Sequence, residues 1–329
     1  MTPADLSRTV LHAVRRAVAD GALDAPVPES VSVERPRPGG CGDYATNVAL
    51  RLAGPAHQPP RAVAEALRDR IAGQPGIASI EITGPGFLNI TLHSRAQQEL
   101  VETVRQQGAA YGHSRQLAGV AVRFEAGEEL RARVWADVLG RLLRSQGAET
   151  EDGEVEDGEV ERPHVVPATD QTQDPAADAT RWALLSAAAH DRPRTGAHLL
   201  VQHESNPLFT VRYAHARSRA LSRNAGRLGI TTDQPAAEQP TVDAPALTGA
   251  IGDHPAVLAS AARLRAPDRL VRHLEATADA LLSFQHTVLP LGDEKPSAAH
   301  RSRLALAEAA GTVLAGGLSL LGISAPDYL

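Results

Sequence analysis

The stretch Ala78-Ser-Ile-Glu-Ile-Thr-Gly-Pro-Gly-Phe-Leu-Asn-Ile-Thr-Leu92 decides how the first third of the chain folds. Ala78, Ile80 and Ile82 recur every second residue, the period of a strand. Thr83-Gly-Pro-Gly86 then marks a turn, because Gly and Pro supply the backbone angles a reversal needs. A second strand is expected over 87–92. Leu88, Ile90 and Leu92 share one face, and Phe87, Asn89 and Thr91 the other. The first face suits a core, which leaves a ring and an amide side by side on the opposite face.

Upstream of this hairpin the apolar period lengthens to about four. Val63, Leu67 and Ile71 mark the inner face of a helix that starts near Pro59-Pro60 and stops at Gly73. Leu6, Val10, Val14 and Val18 mark another over 2–20, with Thr2 as cap, Pro3 in its first turn and Gly21 at its end. A loop through Pro36, Pro38, Gly39 and Gly40 separates the two. Residues 1–112 thus read as a small α+β domain.

Downstream, Leu130, Val134, Val138 and Leu142 line a helix over 130–146, with Leu139 and Leu143 beside them. Glu151-Asp-Gly-Glu-Val and Glu156-Asp-Gly-Glu-Val form a tandem repeat inside a run of eight carboxylates from Glu149 to Glu161. Such a run buries too little apolar area to offset chain entropy, so 149–179 reads as an acidic disordered linker. From Arg181 onward the pattern is helical, broken by a loop near 231–252. Val211, Ala214, Leu221, Ala225 and Leu228 form one stripe, and Leu270, Leu274, Ala278 and Leu281 another. Residues 297–321 read as a long Ala/Leu-rich helix interrupted at Gly316-Gly317. An all-α bundle follows from this pattern.

Hydrophobic residues make up 43% of the chain and aromatics only 3%, so the cores are aliphatic. The net charge of -6 is concentrated in the acidic run, and the rest of the chain is slightly basic. An acidic total therefore does not exclude nucleic acid. Lys295 is the one lysine; the other basic side chains are arginines, which suit phosphate contacts and equally a GC-rich genome. Cys41 has no disulfide partner and builds no metal cluster. With no apolar signal core and no apolar run near 18 residues, a cytoplasmic chain without a membrane partner is expected.

Four segments resemble the arginyl-tRNA synthetase family. Gly42-Asp-Tyr-Ala-Thr-Asn47 and Gly84-Pro-Gly-Phe-Leu-Asn-Ile90 match motifs of its amino-terminal additional domain. Asn206-Pro-Leu-Phe-Thr-Val-Arg-Tyr-Ala-His-Ala-Arg217 resembles the start of its DALR anticodon-binding domain. Gly317-Leu-Ser-Leu-Leu-Gly-Ile323 with Ala-Pro-Asp-Tyr-Leu resembles that domain's closing helix and tail. The resemblance implies an amino-terminal tRNA D-loop-type domain over 1–118 and a DALR-like bundle over 180–329. Between them, 119–148 would be a remnant of the class I catalytic domain. Its first strand would survive as Val120-Ala-Val-Arg-Phe-Glu125 and its first helix as 130–146. Where the family carries a Pro/Gly turn and a HIGH-type histidine pair, this chain has Ala126-Gly-Glu-Glu129. His113 and His164 lack the spacing, and the KMSKS-type lysine loop is absent too. Amino-acid activation needs positive charge and donors on the triphosphate of ATP, and those motifs supply them in the family.

No catalytic residue, cofactor or metal is therefore expected. The resemblance implies tRNA, with arginine tRNA first, as the partner, and a protein partner is the alternative for a retired synthetase. A degenerate arginine–tRNA ligase is the third reading. Phe87 and Asn89 match positions that read a D-loop base in the family; the alternative is that Phe87 packs on Tyr44 or between domains. Tyr44 is the expected contact in its motif, where Asp43 can cap the following helix and Asn47 tie down the Pro/Gly loop. Arg212, His215, Arg219, Arg223 and Arg227 fall roughly on one helix face, fit either for an RNA backbone or for solvent. Tyr213 and Arg217 belong to the same motif. Tyr328 and Leu329 stand where the family has its anticodon-side terminus, whereas Phe284, Gln285 and His286 stand where it is more aromatic.

Overall fold

The structure, a computed structural model, describes residues 3–34, 36, 41–74, 76–92, 94–150, 159–169, 173–174, 176–232 and 242–329. It divides into two compact units, Met1–Leu100 and Val101–Leu329.

In the first unit α1 (Pro3–Ala19) is followed by β1 (Tyr44–Thr46), α2 (Val48–Ala53) and α3 (Pro60–Ile71). The expected hairpin forms as β2 (Ile77–Thr83) and β3 (Phe87–Leu92). Both pairings are antiparallel, in the order β1-β3-β2, and place Ile90 between Tyr44 and Ile80. Leu6, Val10 and Val14 of α1, Val63, Leu67 and Ile71 of α3, and Leu88 and Ile90 of β3 share one core. Each is removed from water along the face its spacing predicts. Thr2, proposed as a cap, lies outside the described residues.

The unit boundary falls within α4 (Ser94–Gln107). Beyond it come β4 (Ala121–Phe124), α5 (Leu130–Ser145), β5 (Glu149–Thr150) and β6 (Glu159–Glu161). The three strands are parallel, in the order β5-β4-β6. This corrects the disordered linker on both sides of residues 151–158. Thr150 and Val160 join β4, strands too short to show a period of their own. Glu161 is further held by an ion pair to Arg265. Residues 166–168 are also ordered, since the Val166 N–H donates to Ala189 O and the Ala168 N–H to the Glu129 carboxylate. Residues 151–158, most of the acidic repeat, lie outside the described residues.

Among the described residues five α-helices make the bundle: α6 (Asp178–Ser186), α7 (Pro207–Arg227), α8 (Pro245–Arg263), α9 (Asp268–Phe284) and α10 (Ala298–Leu320). α8 begins inside the expected loop. Leu247 and Ile251 are buried at helical spacing, although Gly249 between them and Gly252 after them resemble loop punctuation. Nor is α10 interrupted at its glycine pair. A Cβ at Gly317 would stand 2.5 Å from Leu274 Cδ2, so the glycine lets α9 approach closely rather than ending the helix. Leu228, expected in the α7 stripe, is exposed one residue past the helix end.

Tyr111, His254 and His273 stack in the interior of this unit, with ring centroids 5.9 and 5.2 Å apart. His254 Nδ1 and His273 Nε2 are buried without a hydrogen-bond partner. Burial holds the His273 pKa down at about 4 and pushes that of His254 well below the ordinary value. Among the described residues no helix is long and apolar enough to cross a membrane.

Candidate nucleic-acid interface

In the first unit, the segment from Gly42 to Asn47 is built to bind its neighbouring strand. Gly42 has φ +80°, and a Cβ there would meet the Ile90 carbonyl oxygen at 3.0 Å. Asp43 donates its N–H to Ile90 O (2.9 Å), and its Oδ2 accepts from the Leu92 N–H (2.7 Å). Asp43 therefore ties β1 to β3 rather than capping the next helix. Asn47 precedes α2 without a side-chain cap bond. Thr46 Oγ1 instead donates to Ser32 O (2.7 Å) and accepts from the Val48 N–H (3.3 Å). The alternation of β1 turns Tyr44 and Thr46 inward, so Tyr44 is a core residue and not an exposed contact.

The hairpin keeps one of its two expected readers at the surface. Phe87, the first residue of β3, is 40% exposed. Asn89 is only 6% exposed, because it stands in the central strand between Ala45 and Glu81. Its Nδ2 donates to Thr83 Oγ1 at 2.6 Å, bracing the turn. Phe87 and Asn89 are thus not the open pair that strand alternation suggests.

In the second unit, Asn206 caps α7 by accepting from the Phe209 N–H (3.4 Å). Its Nδ2 donates to Leu199 O (2.9 Å) and Val201 O (2.8 Å). Tyr213 is partly exposed and stacks on Phe209 with centroids 5.6 Å apart. Arg212 pairs with Asp178 at 3.4 Å, and Arg217 Nε donates to Gln285 Oε1 at 2.7 Å. Arg219 pairs with Asp327 at 3.2 Å. The Arg223 guanidinium stands 4.1 Å from the Tyr328 ring centroid, and Arg227 donates to Asn224 (3.3 Å). Tyr328 and Leu329 are exposed.

His215 departs from the expected stripe. Three residues after Arg212, it lies about 60° round the helix toward Val211, and it is buried. Its Nδ1 is 3.0 Å from Pro326 O, and since a carbonyl only accepts, that nitrogen carries the proton. Burial lowers its pKa against the opposing pull of the Pro326 bond. The stripe that remains exposed is arginine and tyrosine. Asp178 and Asp327, which hold two of those arginines, carry no signal in the sequence because both are distant from α7 along the chain.

The junction between β4 and α5 is closed from within. The first N–H groups of a helix attract anions, and here the anion is the chain's own. Glu129 Oε2 accepts from the Ala132 N–H (2.6 Å), and its Oε1 accepts from the Ala168 N–H (2.9 Å). Arg131, the second residue of the helix, is fully buried. Its Nε donates to Leu184 O (3.0 Å), Nη1 to Val166 O and Asp191 O (both 2.8 Å), and Nη2 to Ala187 O (2.8 Å) and Ala188 O (2.9 Å). All five guanidinium donors are thereby satisfied. Trp135 Nε1 adds a bond to Leu184 O at 2.9 Å. Neither the Glu129 cap nor a buried Arg within the Leu/Val stripe shows in the sequence, since Glu is not among the usual capping residues. Among the described residues no group of three or more His, Cys, Asp or Glu is placed to hold a metal ion.

Comparison with known proteins follows the same division. Residues 5–92 match the arginyl tRNA synthetase N terminal domain, and residues 211–329 match the DALR anticodon binding domain. An arginine–tRNA ligase of Frankia alni is 48% identical over 157 residues, 45% of this chain and 28% of the relative. One of Renibacterium salmoninarum is 40% identical over 161 residues, 45% of this chain and 29% of the relative. The chain thus matches less than a third of the length of these curated relatives. The fold is shared with the Thermus thermophilus arginyl-tRNA synthetase, at a TM-score of 0.72 and 14% identity, over 100% of both chains. The arginyl-tRNA synthetase from Plasmodium falciparum gives 0.71 at 9% identity, over 99% of both. With its two domain matches together spanning more than half its residues, and in this order, the chain belongs to the arginyl-tRNA synthetase family.

Proposed function

We propose that this chain is a cytoplasmic tRNA-binding protein that does not itself ligate arginine, with arginine tRNA as its first candidate ligand. The closed β4–α5 junction carries the reading. Where the family resemblance calls for a histidine pair and an open helix start, Glu129 occupies the helix N-terminus and Arg131 is committed to five backbone carbonyls. Neither is free to meet a triphosphate. Outside that junction, groups suited to RNA remain at the surface: Phe87 on the hairpin, and Tyr213, Arg219, the partly buried Arg223 and Tyr328 on and beside α7. An exposed ring stacks on an unstacked base, and guanidinium groups follow phosphates. Asn89 supports the hairpin that presents Phe87, and Arg212, His215 and Arg217 position the α7 face. The reading keeps the tRNA-binding domain 1–118, the remnant 119–148 and the helical domain 180–329, with 149–179 between them adding β5 and β6 to the strand of the remnant.

The test is binding to total tRNA at two salt concentrations, with the bound species sequenced, beside arginine-dependent ATP–pyrophosphate exchange. Enrichment of arginine tRNA without exchange is expected. Phe87→Ala should weaken binding roughly tenfold, as loss of one base stack does. Exchange activity overturns the non-catalytic part. No binding at low salt overturns the tRNA part and leaves a protein-interaction module built on a retired synthetase.

A further inference from the structure

The basic face of α7 is already covered in part by the chain itself. Residues 323–326 have no regular secondary structure, and the segment from Ser324 to Tyr328 meets the basic residues of the helix in order. The Ser324 N–H donates to Asp178 Oδ1 (3.1 Å), and Asp178 pairs with Arg212. Pro326 O accepts from His215. Asp327 Oδ1 takes Arg219 Nε at 3.2 Å, and Asp327 O accepts from Arg223 Nη2 at 3.4 Å. Tyr328 then lies under the Arg223 guanidinium. The lengths agree. From Arg212 to Arg223 the helix rises about 16 Å, and four steps of extended chain cover about 13 Å.

An acid-bearing chain laid along a row of guanidiniums occupies the ground that an RNA backbone would take. We infer that Asp327 is an internal competitor for RNA phosphate at Arg219, setting the affinity of this face below what its arginines alone would give. The inference rests on the tRNA reading above. Both partners are about half exposed, at 52% for Arg219 and 49% for Asp327, and exposed ion pairs are weak, so RNA can displace the acid at small cost. Until it does, one guanidinium is neutralised. RNA that finds Arg219 already paired gains less from that contact and releases fewer counterions, so affinity and its salt dependence fall together. The Asp178 and His215 contacts hold the segment upstream of Asp327, which confines the competition to the Arg219–Arg223 end.

The experiment measures tRNA binding against salt for the wild-type chain, Asp327→Asn, Arg219→Ala and the double variant, with thermal melts as the folding check. Asp327→Asn should tighten low-salt binding roughly three- to tenfold and steepen the slope of log K against log salt by about 0.7, one more phosphate contact. The gain should vanish in the Arg219→Ala background. If the wild type binds and Asp327→Asn binds equally or more weakly, the inference falls and the tRNA reading stands. A gain that persists without Arg219 also overturns it, because the competition acts through that side chain. If neither the wild type nor Asp327→Asn binds at low salt, the tRNA reading itself falls and takes the inference with it.

Discussion

Arg131 and Arg219 are both helix arginines of the second unit, and they are used in opposite ways. Arg131 is sealed from water with its five donors on five carbonyls, while Arg219 stands half in solvent with one acidic partner. A buried donor set of the first kind is a fastener: it joins α5 to the chain around Val166 and to the end of α6. A partner of the second kind is exchangeable. The difference separates charge that holds the fold from charge that remains on offer, although both side chains read simply as basic in the sequence.

The most forceful way to break this comparison is Arg131→Met. It leaves five carbonyls without their donors in the interior, and the loss should be about 4 kcal/mol or more by denaturant unfolding. A cost under about 1 kcal/mol would show that the junction is not held this way.

A second test uses the histidines of the same interior. His254 and His273 have folded-state pKa values below that of an unfolded histidine, so the fold favours their neutral forms. Their stability is complete above about pH 6.5 and is lost as pH falls toward the folded value. With His273 at about 4, it alone should account for about 2 kcal/mol of destabilisation between pH 7.5 and pH 5. His273→Leu should flatten the stability profile over that window. An unchanged slope would place the acid sensitivity elsewhere.

Glu129→Ala should cost about 1 kcal/mol, the usual worth of a helix cap, and should raise hydrogen exchange at the Ala132 and Ala168 amides. The smallest effect belongs to Arg219→Ala, which should change stability by less than about 1 kcal/mol, as exposed ion pairs do. A larger loss would make Arg219 a second fastener and erase the comparison.

Much of this was legible in the order of residues. The period-two run ending at Thr83, the turn after it and the alternation of Leu88 and Ile90 specify a hairpin with one buried face. Stripes near period four specify α1, α3, α5, α7 and α9, because a helix or strand with one apolar face must bury it and the spacing of that face is local information. What only the tertiary structure decided are the fates that depend on a partner far along the chain. β5 and β6 are too short for a period and exist through β4. Gly317 continues a helix because Leu274 needs the space. Asn89 is shielded by strands on both sides, and Tyr44 faces a core built by three helices. His215 turned inward to Pro326, Arg131 found its five carbonyls, and Arg219 met Asp327 across more than a hundred residues. Burial and hydrogen bonding are satisfied between neighbours in space, and the period of a sequence reports only neighbours along the chain.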